Sequence, residues 1–363
     1  MKQKHLPTSG FKARSRGVAG PLRAGFETVP VDVLHIDCEQ HTHVITEGIR
    51  RLLRSFRKRG IVVALSGGID SSVTAALCVR ACGSERVFGL HMPDRDSSPD
   101  TLSLSQAVST HYGFDSALEP ITPILESVGC YSRQEEAIRE VVPEYGPGWK
   151  SKLVLESVLG NKGYNFFHIV VQAPDGTRIA RRASLKAYLG IVAATNFKQR
   201  VRKMMEYYYA DRLNYAVAGT PNRLEYDQGF FVKLGDGAAD IKPIAHLYKS
   251  QVYQLAEYLD VPEAIRRRPP TTDTYSLPQG QDEFYFSLPH EKMDLCLYAR
   301  NNDLAAEAVA PLVGLSIEQV AKVYADIDVK RSSTRYLHSE PTLIVPVKEI
   351  CMQSMARSRS ASS

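Results

Sequence analysis

The sequence has a single Trp, only six Cys, and no uncharged apolar run near the about 18 residues that a membrane span needs. Its amino terminus lacks the apolar stretch of a secretory signal, so it reads as a soluble, cytoplasmic protein with no membrane partner. The cysteines, at 38, 78, 82, 130, 296 and 351, form no CxxC pair and no regular framework. That excludes a disulfide-stapled mini-protein and points to thiols in a reducing compartment. Cys78 and Cys82, four apart, are neighbours on one helical face and read as core packing, because no His or second Cys pair stands nearby to complete a metal site. Gly-Lys-Ser/Thr and GxSxG are both absent, which excludes a Walker loop and a serine-hydrolase elbow. Acid is missing from both ends: residues 1–26 hold six Lys/Arg and residues 352–363 hold Arg357 and Arg359, neither stretch with any Asp or Glu. The formal charge of +5 therefore sits in the ends, and the body is mildly acidic. Residues 1–30, and the tail 342–363 from about 352 onward, are too polar to offset the entropy of ordering them and read as disordered.

What remains is long enough for one large α/β domain, with 44% hydrophobic residues in a chain of 363. Apolar positions from Val44 to Phe56 recur at helical spacing, and Gly60 stops that helix. Ile61–Leu65 is a continuous β-branched run suited to a strand buried on both faces. A Ser-Gly turn, a helix over 73–82 and a second strand over 87–91 complete a parallel βαβ unit. Another helix over 101–112 and the apolar segment 117–125 extend the alternation, so the expected fold is a doubly wound parallel sheet with flanking helices. Residues 130–184 break the pattern and read as an insertion, with two strands (166–171 and 177–180) around Pro174-Asp175-Gly176. A long helix over 185–214, a short strand at 215–218 and a helix over 247–259 follow, then a loop-rich stretch over 268–289 within a helical last third.

The turn Ser66-Gly67-Gly68-Ile69-Asp70-Ser71-Ser72 is the most informative feature. Small residues let successive N–H groups face one concavity, the next helix adds its positive end, and hydroxyls add donors, which together cradle a phosphate chain. Asp70 would repel bare phosphate, so its presence fits a Mg²⁺ ion that neutralises the phosphates. A tight turn with a capping Asp or Ser is the plainer alternative.

That string resembles the SGGxDS pyrophosphate loop of the N-type ATP pyrophosphatases, and the chain is similar to ammonia-dependent NAD synthases from roughly Val31 to Pro341, the insertion apart. Matching segments recur in order: His91-Met92-Pro93, Asn196 to Arg202, Gly219-Thr220-Pro221-Asn222 with Glu225, Phe231 to Gly237, Asp240 to Lys249, and Pro270 to Thr272 followed by Gln281-Asp282-Glu283. The resemblance implies an adenine nucleotide α-hydrolase-like fold. It places ATP, as substrate, on Ala64, Leu65, Ser66, Gly67, Gly68, Ile69, Asp70, Ser71, Ser72, Thr220, Lys249 and Thr271. Mg²⁺ falls to Asp70 and Glu225, and the acid-bearing dinucleotide to Arg200, Lys233, Asp240 and Lys330. Taken singly, Lys233 and Lys249 also read as surface lysines, Arg200 and Arg202 as a solvated helix face, and Asp240 as a turn residue.

The implied reaction activates a carboxylate: it attacks the α-phosphorus of ATP, pyrophosphate leaves into the cradle, and ammonia displaces AMP from the acyl-adenylate. Asp70 and Lys249 are the implied catalytic groups, acting by electrostatic positioning. Three departures bear on the acid: the insertion, Leu224 where the family has Ser or Thr, and Val329-Lys330-Arg331 where it has His-Lys-Arg. A paralogue amidating a different carboxylate in a specialised pathway is the alternative. With about thirty residues before the matched region, free ammonia or ammonia from a separate glutaminase is implied, and so is a homodimer. A nucleic-acid partner for the basic tails is the competing class, against which the acidic body and missing CxxC argue.

Overall fold

A computed structural model describes residues 29–30, 32–155, 167–272, 274–345 and 347. The expectations for residues 1–28 and 352–363 lie outside the described residues, while Val29, placed by the sequence in the disordered tail, is buried in the core of the C-terminal helices. Strand β1 (Ile61–Ala64) pairs in parallel with β2 (Val87–His91) on one side and with β7 (Ala216–Ala218) on the other, and β3 (Asp115–Leu118) adds to β2. The order is therefore β3-β2-β1-β7, all parallel. Ile61, Val62 and Val63 are fully buried, as the β-branched run requires of a strand with helices on both faces.

Helix α1 (Cys38–Phe56) and α2 (Ile69–Cys82) pack on one face of the sheet. Asp37 caps α1 by accepting from Gln40 N at 2.9 Å. Helix α3 (Pro99–Tyr112) follows β2. The apolar stretch 117–125 divides into the end of β3 and α4 (Thr122–Ser127), because Pro123 is better placed at a helix start than in a strand. Helix α5 (Cys130–Arg139) then lies against α6 (Leu185–Leu213). Between them the insertion forms a three-stranded antiparallel sheet, β4 (Lys150–Leu155), β5 (Phe167–Gln172) and β6 (Arg178–Arg182), in that order. The expected hairpin is β5–β6; β4 and α5 went unread, since β4 alternates Lys with Ser and apolar residues inside a charged, Pro- and Gly-rich region. Short α7 (Arg223–Gln228), α8 (Lys249–Tyr258) and α9 (Glu263–Arg266) precede three helices, α10 (His290–Asn301), α11 (Ala306–Val313) and α12 (Ile317–Thr334), which share a core of their own. No helix among the described residues is long and apolar enough to cross a membrane.

A buried charge network fastens α6 to the loop after β2. Lys198 donates to Asp94 at 3.1 Å, to Asp96 at 2.7 Å and to the Thr274 carbonyl at 3.0 Å, while Arg202 reaches Asp94 at 2.7 Å. Burial alone would lift the Asp94 carboxyl, but the Arg202 and Lys198 cations outweigh it and hold it below its ordinary value. The Lys198 and Asp94 side chains are 1% and 0% exposed, so neither has water to fall back on. Lys198→Ala should cost about 3 kcal/mol of unfolding free energy by stranding buried carboxylates, measured by urea denaturation. A loss within the error of the parent curve would show that Arg202 alone neutralises Asp94.

Candidate active site

Strand order reverses at β1, and a crevice at that point is where open parallel sheets hold ligands. Ala64 and Ala218, the last residues of β1 and β7, both line a cavity of about 400 Å³. Residues Ser66 to Gly68 turn the chain from β1 into α2, and helix begins at Ile69, earlier than the expected start at Val73. Asp70, Ser71 and Ser72 are thus first-turn helical residues, because Gly68 stands in the cap position and Ser72 N already donates to its carbonyl at 3.2 Å. Gly68 offers no side-chain acceptor to the first N–H groups of α2, which leaves that end of the helix suited to an anion. Gly67 has φ of +68°, and a Cβ there would lie 2.8 Å from the Thr101 carbonyl, so the position tolerates only glycine. The Ser66 and Ser71 hydroxyls are 3.2 Å apart, and Ser71 and Ser72 donate to the Gly68 carbonyl at 3.0 and 2.9 Å. Ala64, Ser66, Gly68, Ile69, Asp70 and Ser71 line the cavity. Leu65 and Ser72 are buried behind the loop, and Gly67 backs onto α3.

Three helix starts bring opposite charges together here. Asp70, in the first turn of α2, accepts from the Lys249 ammonium, the first residue of α8, and from Asn222 Nδ2 at 3.0 Å. Asn222 caps α7 in a reciprocal box, accepting from Glu225 N at 3.2 Å while its own N–H donates to the Glu225 carboxylate at 3.2 Å. Gln281 Nε2 donates to the other Glu225 oxygen at 3.0 Å. Lys249 is only 2% exposed. Burial works against its ammonium, but the Asp70 and Glu225 carboxylates outweigh burial and hold its pKa above the usual lysine value. Burial first, then the Asp70 carboxylate, push the Glu225 carboxyl up to about 8, with Lys249 pulling the other way. Asp294 of α10 accepts from the Lys249 and Ser250 N–H groups at 3.2 and 2.6 Å and so sets the start of α8; burial pushes its carboxyl up to about 6. Two carboxyl groups crowd one ammonium, and the upward push on Glu225 marks a pair short of cation; their oxygens are the hard donors that Mg²⁺ takes, so these residues fit that ion.

Thr220, Glu225, Lys249 and Thr271 line the same cavity as the Ser66–Ser71 turn. Arg200, Lys233, Asp240 and Lys330 do not line it. Arg200 is exposed on α6 and donates to the Lys233 carbonyl at 3.4 Å; Lys233 donates to Tyr336 O and Ser339 Oγ at 2.8 and 2.9 Å. Asp240 accepts from Val217 N at 2.8 Å and from the Tyr207 hydroxyl at 3.3 Å, fixing the β7 edge. Lys330 is held by Asp326 and the Tyr285 carbonyl, both at 2.6 Å. Leu224, at the position where a hydroxyl was expected, is buried in the core of the C-terminal helices. Sequence reasoning missed Asn222 and Gln281 as the partners of the two carboxylates, although both lie in segments it singled out. It also missed Lys203 and Glu206, a 2.7 Å pair on α6 that lines the cavity with side chains 6% and 4% exposed. An (i, i+3) Lys–Glu pair reads from sequence as a surface contact.

Because the Glu225 carboxyl titrates higher in the folded chain than the unfolded value of 4.5, the folded state binds the extra proton between that value and about 8. Its ionisation therefore costs stability progressively as pH rises through that window. Glu225→Gln should be about as stable as the parent near pH 5 and more stable near pH 8, read from thermal midpoints without nucleotide or metal. Parallel falls in both proteins would remove the assignment.

Residues 41–143 and 174–334 match the family model described as NAD synthase. The chain is 59% identical over 319 residues to the NH(3)-dependent NAD(+) synthetase of Rhizobium meliloti (strain 1021), covering 88% of this chain and 96% of that protein. The NMN synthetase of Francisella tularensis superposes with a TM-score of 0.58 at 21% identity, over 85% of this chain and 98% of that one. The NH3-dependent NAD synthetase of Campylobacter jejuni, in complex with nitrate, gives 0.55 at 22% identity over 85% and 100%. These last two likenesses establish the shared fold. By the family-model match and the 59% identity over 88% of its length, the chain belongs to the NAD synthase family.

Proposed function

We propose that the protein is an amide-forming ligase that adenylates the carboxylate of deamido-NAD with ATP and transfers ammonia to it, giving NAD, AMP and pyrophosphate. The observation that carries this reading is the meeting of Asp70, Glu225 and Lys249 beside an uncapped helix start. A carboxylate oxygen attacks the α-phosphorus, the α–β phosphoanhydride bond breaks, and pyrophosphate departs. Ammonia then attacks the acyl carbon, AMP leaves with the electron pair of the C–O bond, and the nitrogen sheds its proton. Ser66, Ser71 and the first N–H groups of α2 receive the departing pyrophosphate, and Lys249 offsets the charge that builds on it. Asp70 and Glu225 would hold Mg²⁺, which when bound neutralises phosphate charge. No side-chain nucleophile takes part.

The same reading assigns one catalytic domain to residues 31–341, with Arg200, Lys233, Asp240 and Lys330 on the dinucleotide side. Exposure of Arg200 and Asp240 outside the cavity fits contacts completed by a second copy, whereas Lys330 is buried and already held by Asp326 and the Tyr285 carbonyl. Leu185 and Leu189, and further along Met204 and Tyr208, form two exposed pairs on α6, each pair four residues apart, which supports a homodimer through that helix. Ammonia arrives free or from a separate glutaminase. A cytoplasmic setting agrees with five described cysteines that are free thiols. A second reading keeps the adenylation and changes the acid, favoured by Phe167 of the insertion lining the cavity.

Incubated with deamido-NAD, ATP, Mg²⁺ and ammonium, the purified protein should release AMP and NAD in equal amounts. Pyrophosphate released with another acid from a panel, and none with deamido-NAD, would establish the second reading. Asp70→Asn keeps the side-chain shape but removes the charge and one of the two acceptors that Asn222 and Lys249 use; it should lower turnover roughly 100-fold or more while circular dichroism stays unchanged. Ordinary turnover in this variant would refute the role of Asp70.

A further inference from the structure

The family model leaves residues 144–173 unmatched between its two blocks, and those residues contain β4 and β5. Only one edge of β4 is taken by β5. The other grips the loop that closes the cavity. Ser151 N donates to Ser276 Oγ at 2.9 Å, Leu277 N donates to the Ser151 carbonyl at 3.2 Å, and Gln279 Nε2 donates to the Leu153 carbonyl. Lys152 adds an ion pair to Glu283 at 2.6 Å and a hydrogen bond to the Pro278 carbonyl at 3.3 Å.

This loop carries residues of the nucleotide site. Gly280 bridges to Thr271 in antiparallel fashion, and Thr272 N donates to the Gln279 carbonyl at 3.1 Å. Gln281 holds Glu225. Residues Asp282–Phe286 then form one wide π-helical turn, which presents Phe284 and Tyr285 to the cavity. The sheet itself is firmly seated. Leu153, Ile169 and Val171 share a core with Ile138 of α5, Ile191 of α6 and Tyr275 of the loop. Phe167 stacks on Tyr188 with centroids 4.5 Å apart, and both rings line the cavity.

We propose that β4 is a positioning element for the nucleotide side of this site: it clamps residues 276–283 and thereby places Thr271 through the Gly280 bridge and Glu225 through Gln281. Lys152 is the positioning residue, since it fastens the loop to the strand without lining the cavity. This inference rests on the adenylating reading given above.

Lys152→Ala and Glu283→Gln test it in the full chain. Each should raise the KM for ATP roughly fivefold and leave the KM for deamido-NAD within about twofold, with Lys152→Arg restoring the parent value. The double variant should be no worse than either single one, as expected of two residues acting as a pair. Amide hydrogen exchange in residues 274–283 should quicken in Lys152→Ala while that of β1 stays unchanged. An unchanged KM for ATP with unchanged exchange would overturn the clamp. An equal rise in both KM values together with a lower thermal midpoint would also overturn it, by showing general loosening. Calorimetric ATP binding needs no acid substrate: weaker binding by Lys152→Ala, in a parent inactive on deamido-NAD, supports the clamp and refutes only the proposed acid.

Discussion

The contact between Asp70 and Lys249 is the constraint around which the site is arranged. Neither side chain reaches the other unless α2 and α8 both start at the crevice, and each start is fixed by a different device. For α2 it is a glycine turn leaving the carboxyl end of β1; for α8 it is Asp294 reaching across from α10 to the first N–H groups. Asn222 adds the start of α7 by binding Asp70 and capping its own helix with Glu225. Three helix origins therefore converge on one carboxylate. In so shielded a place an unpartnered charge would be expensive, so the pair constrains the fold as well as the chemistry.

That convergence explains which parts were legible. The sheet announced itself through Ile61–Leu65 and the alternation after it, because a strand buried on both faces tolerates only apolar residues. The Ser66–Ser72 turn was legible for a related reason: Gly67 has no side-chain alternative beside the α3 backbone. Where helix begins was misplaced by about one turn, since Asp70 and the serines are poor helix formers in isolation, and here the glycine turn hands the chain directly into α2 with Gly68 in the N-cap position. Local sequence carries propensity, and the turn geometry decides where the helix starts.

The hidden residues have a common property. Lys203, Glu206, Asn222 and Gln281 are polar groups whose partners lie on the cavity side, and nothing in helical periodicity distinguishes a buried polar face turned toward a ligand from a solvated one. Lys198 shows the same ambiguity: it is almost entirely buried, and its three acceptors come from two segments that are remote in sequence. Arg200, two residues on, is exposed. The family resemblance placed Arg200 by its position in the sequence, whereas its burial and contacts come from the fold, where it bonds the Lys233 carbonyl outside the cavity.

The insertion shows how a segment outside the blocks matched by the family model is built into the walls of the cavity. Residues 268–289 have little regular structure of their own and must nevertheless present Thr271, Gln281 and a row of aromatic rings at fixed places. Pro269, Pro270, Pro278 and Pro289 narrow the conformations open to that loop before it docks, which reduces the entropy that docking must overcome. The rest of the ordering has to come from contacts, and the edge of β4 away from β5 supplies them: the Ser151 N–H and the Ser151 and Leu153 carbonyls bond Ser276 Oγ, Leu277 N and Gln279 Nε2. A β-edge otherwise left to solvent invites association with other chains. Using the loop to cover β4 removes that hazard and fixes the loop in one step, so stability of the insertion and shape of the cavity are set by the same hydrogen bonds.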